Sequence, residues 1–123
     1  MPPQSPPQRT GHRYETLACA HLRRHGLTLL ARNYRCRLGE IDLVMRERDC
    51  LVFVEVRYRA LQRYGGPLAS VGSDKQRRLI RTAQHFLLCH PQCARYGCRF
   101  DVVAVSRAPT GEVAIDWIRA AFD

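Results

Sequence analysis

The stretch GEIDLVMRERDCLVFVEVR, residues 39–57, holds two runs rich in Ile, Val, Leu and Phe, joined by the short polar link Glu47-Arg48-Asp49-Cys50. Such runs on either side of a tight polar link predict a β-hairpin, with strands over 38–47 and 50–59. A two-residue turn at Arg48-Asp49 sets Asp42 opposite Glu55 and Glu40 opposite Arg57. Side chains alternate at period two, so these four share one face, while Ile41, Leu43 and Met45 meet Val56, Val54 and Val52 on the other. A register slip of one residue would scatter the acids.

Two carboxylates directly across an antiparallel pair repel, and on strands this apolar they are also desolvated. A hard divalent cation, Mg²⁺ or Mn²⁺, would offset both costs. An ordinary ion-pair cluster with Arg57 and neighbouring arginines would do the same. Spacing alone leaves both readings open.

Around the hairpin the pattern predicts a helix from Thr10 or Gly11 to Gly26, with Tyr14, Leu17, Ala18, Cys19 and Leu22 as its apolar stripe. A strand over 27–36 follows. After the hairpin, the glycine-rich segment 60–72 reads as a loop, and Ser73 or Asp74 caps a helix to about His90. Beyond a break at 91–97 come strands over 98–106 and 112–118 and a short C-terminal helical turn. The order α-β-β-β-α-β-β is that of a single α/β domain, residues 11–123, with a mixed sheet flanked by helices. The proline-rich residues 1–10 read as a disordered tail.

The 123 residues suffice for one core, but the charge is unusual: twenty Lys+Arg against eleven Asp+Glu give +9 at pH 7. All but one of the twenty are arginine, and Lys75 is the exception. This surplus favours a polyanionic partner, either nucleic acid or an anionic membrane face. No apolar run reaches the ~20 residues of a membrane span, and the N-terminus lacks the apolar stretch of a secretory signal. The six cysteines are therefore expected as reduced thiols in the cytoplasm. Cys89, Cys93 and Cys98, with His85 and His90, do not form the paired spacing of a zinc site. Asp101, between Phe100 and Val102, is expected to bond backbone or an arginine.

GEIDLV (39–44), FVEVR (53–57) and Gly11-His12-Arg13-Tyr14-Glu15 resemble the PD-(D/E)XK nuclease superfamily, with its restriction-endonuclease-like fold. With YGG (64–66), SDKQ (73–76), CRFDVVAV (98–105) and Trp117-Ile118, the chain is more closely similar to the YraN or UPF0102 proteins, which look like Holliday-junction resolvases. The resemblance implies a metal-dependent DNA endonuclease, selective for branched or junction DNA and homodimeric. Mg²⁺ or Mn²⁺ would be held by Glu15, Asp42 and Glu55, with Val56 lending its carbonyl.

The superfamily pattern has lysine where this chain has Arg57. Arginine stays protonated, so it can hold phosphate charge but cannot act as a base. Lys75 is then the amine that could replace it, and Gln76 could orient water or phosphate. Arg77, Arg78 and Arg81 form a helix face suited to phosphates. The competing expectation is a catalytically degenerate nucleic-acid-binding module on the same fold, with Arg57 as its mark. A third is a non-enzymatic protein whose basic surface meets another acidic partner.

Overall fold

In the computed structural model the described residues are 6–60 and 71–122, with side chains described over 12–58 and 71–122. Two helices, α1 (Pro6–Arg24) and α2 (Ser73–Cys89), accompany five strands: β1 (Thr28–Cys36), β2 (Gly39–Glu47), β3 (Cys50–Ala60), β4 (Gly97–Arg107) and β5 (Val113–Phe122). The strands form one sheet in chain order. Neighbours are antiparallel except β3 and β4, which run parallel across the α2 connection. This α/β arrangement, α-β-β-β-α-β-β around a mixed sheet, is the one expected and is compatible with a single-domain nuclease-like fold. Among the described residues no helix is long and apolar enough to cross a membrane.

Both faces of the sheet are covered. Tyr14, Ala18, Cys19 and Leu22 of α1 pack on Leu43, Met45, Val52, Val54, Val103 and Val105. On the opposite face Leu79, Ala83 and Phe86 of α2 pack on Val44, Leu51, Phe53 and Val102. Double cover explains why residues 51–54 are apolar without alternation. Each large side chain so buried is worth about 1.5–3 kcal/mol.

The hairpin has the expected register, closing at Glu47↔Cys50 and running to Leu43↔Val54. Arg48 at the turn takes φ 54°, the left-handed value that two-residue hairpin turns require. One part of the facial assignment changes. Ile41 lies with Val44 on the α2 side, not with Leu43 and Met45. Alternation breaks at Asp42, whose carboxylate takes a backbone N–H from β3, and Asn33 on the neighbouring strand turns to φ 52°.

Three further expectations shift. The first helix begins at Pro6, inside the segment read as a tail, because prolines are tolerated in a first turn whose N–H groups are unpaired anyway; residues 1–5 lie outside the described residues. Gly72, not Ser73 or Asp74, occupies the N-cap of α2, and no side chain caps it. The C-terminal helical turn is instead the end of β5, where Phe122 pairs with Phe100 past an irregularity and Ala120 takes φ 49°. Of the expected loop 60–72, residues 61–70 lie outside the described residues.

Candidate functional site

Where the β2–β3 pairing ends, a cavity of about 400 Å³ is lined by Gly39, Glu40, Asp42, Glu55, Val56, Lys75, Arg78 and Leu79. The hairpin supplies the acids and the first two turns of α2 supply the cations. Gly39 lets them meet. Its φ is +151°, and a Cβ there would lie 2.9 Å from the Thr82 hydroxyl oxygen, so a side chain would be strained and would have to displace that hydroxyl from its bond to the Arg78 carbonyl.

Asp42 is mostly buried and accepts one hydrogen bond, from the Val56 N–H to Oδ2 at 2.8 Å. Burial pushes its carboxyl up to about 7; the Glu55 carboxylate adds to the rise, the Val56 N–H opposes it, and Glu15 and Glu40 contribute further. Glu55, 8% exposed, pairs through Oε2 with Lys75 Nζ, and Arg57 Nε stands 4.0 Å from the same oxygen. The chain's sole lysine is thus at the acids, on the helix end that faces the cavity.

Glu15 approaches from α1. It is 3.8 Å from Arg32 Nη2 on β1, and its Oε1 is buried without a hydrogen-bond partner. Arg32 is held in turn by the Thr16 hydroxyl at 3.1 Å. Neither Arg32 nor Gly39 is singled out by the sequence reading. Arg32 matters through a contact between β1 and α1 that has no local signature, whereas Gly39 opens the quoted GEIDLV motif and could have been flagged as a close-approach position.

The remaining expected residues divide. Arg78 lines the cavity and Arg81 is exposed on the same helix, while Arg77 turns to Asp74 within α2. Gln76 donates an amide N–H to the Val71 carbonyl at 2.7 Å, which braces the start of α2. Glu40 pairs with Arg35 at 3.0 Å, not with the Arg57 expected opposite it, because β1 offers the nearer cation. Asp101 is bound by Arg99, Trp117 and the Ala120 N–H, as its burial required. All six cysteines are free thiols.

Asp42 accepts a single hydrogen bond, Glu55 is paired with Lys75, and Glu15 Oε1 is buried without a hydrogen bond; carboxylate oxygens of this kind are hard donors of the type Mg²⁺ or Mn²⁺ prefers. Among the described residues no three His, Cys, Asp or Glu side chains are grouped so as to hold a metal ion, so Glu15, Asp42 and Glu55 do not come together as the three-carboxylate set the resemblance implies. The fit is therefore to an ion that keeps waters or takes phosphate oxygens, as Mg²⁺ does in phosphoryl-transfer sites.

Comparison with known proteins agrees along most of the chain. The description "Uncharacterised protein family UPF0102" matches residues 14–105. A UPF0102 protein of Nitrosomonas europaea is 54% identical over 109 residues, covering 89% of each chain. One from Methylococcus capsulatus is 54% identical over 114 residues, 93% of this chain and 90% of its own. A third, from Pseudomonas fluorescens, is 46% identical over 120 residues and covers 98% of each.

Proposed function

We propose that this chain, which belongs to the uncharacterised protein family UPF0102, is a phosphodiester hydrolase acting on DNA with Mg²⁺ or Mn²⁺ at Asp42 and Glu55. The observation that carries the reading is the like-charge pair of half-buried Asp42 and buried Glu55, set in a cavity with the only lysine of the chain. Such a pair is uphill unless something positive completes it.

When bound, the cation supplies Lewis-acid activation of the phosphodiester. Asp42 and Glu55 would hold it, the Val56 carbonyl would offer a third oxygen, and Glu15 would add negative potential from α1. Lys75, paired with Glu55 as its ammonium, stands where Nζ would give a proton to the leaving oxygen. Arg57 is permanently charged, so it steadies phosphate charge without accepting a proton. Arg78 and Arg81 extend the cationic surface along which a DNA backbone lies.

The test is cleavage of duplex and branched DNA in Mn²⁺ against EDTA. Cutting should need the metal, vanish in Asp42→Asn, and fall roughly 10²–10⁴-fold in Lys75→Ala, the usual worth of a general acid–base group. Cutting that persists in EDTA, or is untouched in Asp42→Asn, would falsify the reading. One observation favours a binding module without catalysis: Glu55 is already neutralised by Lys75, with Arg57 close by. A wild type that cuts nothing, beside an Arg57→Lys variant that cuts, would establish that alternative.

A further inference from the structure

Glu55 is the more buried of the two acids at the hairpin, and its charge is already answered from within the chain. Lys75 Nζ pairs with its Oε2, and Arg57 Nε stands 4.0 Å from the same oxygen. The two cations differ in how they arrive. Arg57 lies two residues along the same strand, so alternation puts it on the face of Glu55. Lys75 reaches across from the first turn of another element, α2, and its side chain is 44% exposed. A lysine ammonium is a compact, strongly hydrated charge on a flexible stem, so it can leave Glu55 for water while backbone and helix stay in place.

A divalent cation between Asp42 and Glu55 competes for this carboxylate. Ammonium and metal cannot share one buried oxygen, because like charges in contact away from bulk water repel strongly. Either Lys75 neutralises Glu55 or the metal does.

Building on the hydrolase reading, we infer that Lys75 is a displaceable counter-ion, which holds Glu55 while the site lacks a cation and has to let go before one enters. The cation affinity of the free protein is then lowered by the fraction of molecules in which Glu55 is released. The displaced ammonium keeps its proton and stays on the cavity wall with Arg78, so entry of the cation frees a positive charge for a phosphate.

The experiment is titration calorimetry of Mn²⁺ into wild type, Lys75→Met, Lys75→Arg and Arg77→Met, without DNA, at one pH and ionic strength. Methionine keeps an unbranched stem and drops the charge. Lys75→Met should bind Mn²⁺ roughly 5- to 150-fold more tightly than wild type, the ordinary range of coupling between two ligands. Lys75→Arg keeps a cation within reach of Glu55 and should stay near the wild-type value. Arg77→Met makes the same change in net charge from a guanidinium turned to Asp74, and should also stay near it. Thermal unfolding gives a second readout. In EDTA, Lys75→Met should unfold at a lower temperature than wild type, and Mn²⁺ should raise its unfolding temperature by the larger increment.

Equal Mn²⁺ affinity in wild type and Lys75→Met, weaker binding in Lys75→Met, or equal tightening in Arg77→Met would each overturn the counter-ion. Absence of Mn²⁺ binding from every variant would overturn it together with the cation site. A wild type too weak to measure beside a Lys75→Met that binds would support it. Cleavage in Mn²⁺ is scored separately. A protein that cuts DNA, with Mn²⁺ affinity unmoved by Lys75→Met, loses the counter-ion and keeps the hydrolase. A protein that never cuts, yet takes Mn²⁺ more tightly without Lys75, keeps the counter-ion and loses the hydrolase.

Discussion

Two aspartates of this sheet, Asp101 fully buried and Asp42 half-buried, are treated in opposite ways. Asp101 on β4 is fully buried and surrounded by donors: Arg99 Nε at 3.0 Å, the Trp117 indole N–H at 2.9 Å and the Ala120 N–H at 2.9 Å. Arg99 continues to Glu47 at 2.8 Å, which also receives Arg119 at 3.0 Å, so the charges are matched within the chain. Asp42 on β2 accepts one backbone N–H and is pressed by Glu55, Glu15 and Glu40. The first carboxylate is finished by the fold. The second is left for something else to finish, and that difference separates an acid that holds the sheet together from one that waits for a ligand.

The contrast breaks most visibly in stability. Asp101→Ala strands the Arg99 guanidinium, an indole N–H and a backbone N–H, and should cost about 3–5 kcal/mol, the usual result of removing one partner of a buried pair. Thermal unfolding at neutral pH measures it. Asp42→Asn at the same pH should leave stability unchanged or raise it, since it removes a charge that the fold disfavours. Comparable losses in the two variants would erase the distinction.

Next in size is the pH dependence. Asp42 has its folded pKa at about 7 against a reference of 3.8, so the folded chain keeps a proton that the unfolded chain has released. Stability contributed by this group must therefore fall as pH rises from about 4 to about 7, by on the order of a few kcal/mol, and then level off. Chemical denaturation across that range should show the decline in wild type and a flatter curve in Asp42→Asn. Glu47 has the opposite sign: Arg99 holds its carboxyl below the ordinary range, so its contribution is present at neutral pH and lost in acid.

The smallest expected effect concerns the cationic surface. Wild-type DNA affinity should fall steeply with salt, and Arg81→Glu should lower the log–log salt slope by about 1 or somewhat more. A slope unchanged in Arg81→Glu would take that helix face off the DNA path.

The hairpin and its acids were legible in the sequence because a two-residue turn fixes register, and register fixes faces. That logic places Asp42 across from Glu55, and the pairing up to Leu43↔Val54 follows it. It fails two positions further, at Ile41. There Asp42 takes a β3 N–H, and alternation, the premise of the inference, stops. Lys75 stands out in the sequence as the chain's one lysine, but its contact with Glu55 comes from the packing of α2 on the hairpin, a tertiary fact. The role of Gln76 and the choice of Glu40 for Arg35 were decided by neighbours that no local pattern names.

Titration calorimetry of Mn²⁺ into the wild type and Asp42→Asn, at pH 6 and pH 8 in buffers of different ionisation enthalpy, probes the acid pair itself. A site completed by the metal should bind Mn²⁺ in wild type and lose binding in Asp42→Asn. It should also release protons on binding at pH 6 but far fewer at pH 8, because the Asp42 proton must leave below its pKa of about 7 before the ion can enter. Binding heats that are the same in Asp42→Asn, or absent from the wild type at both pH values, would contradict the metal site and leave Asp42 and Glu55 as an ion-pair cluster.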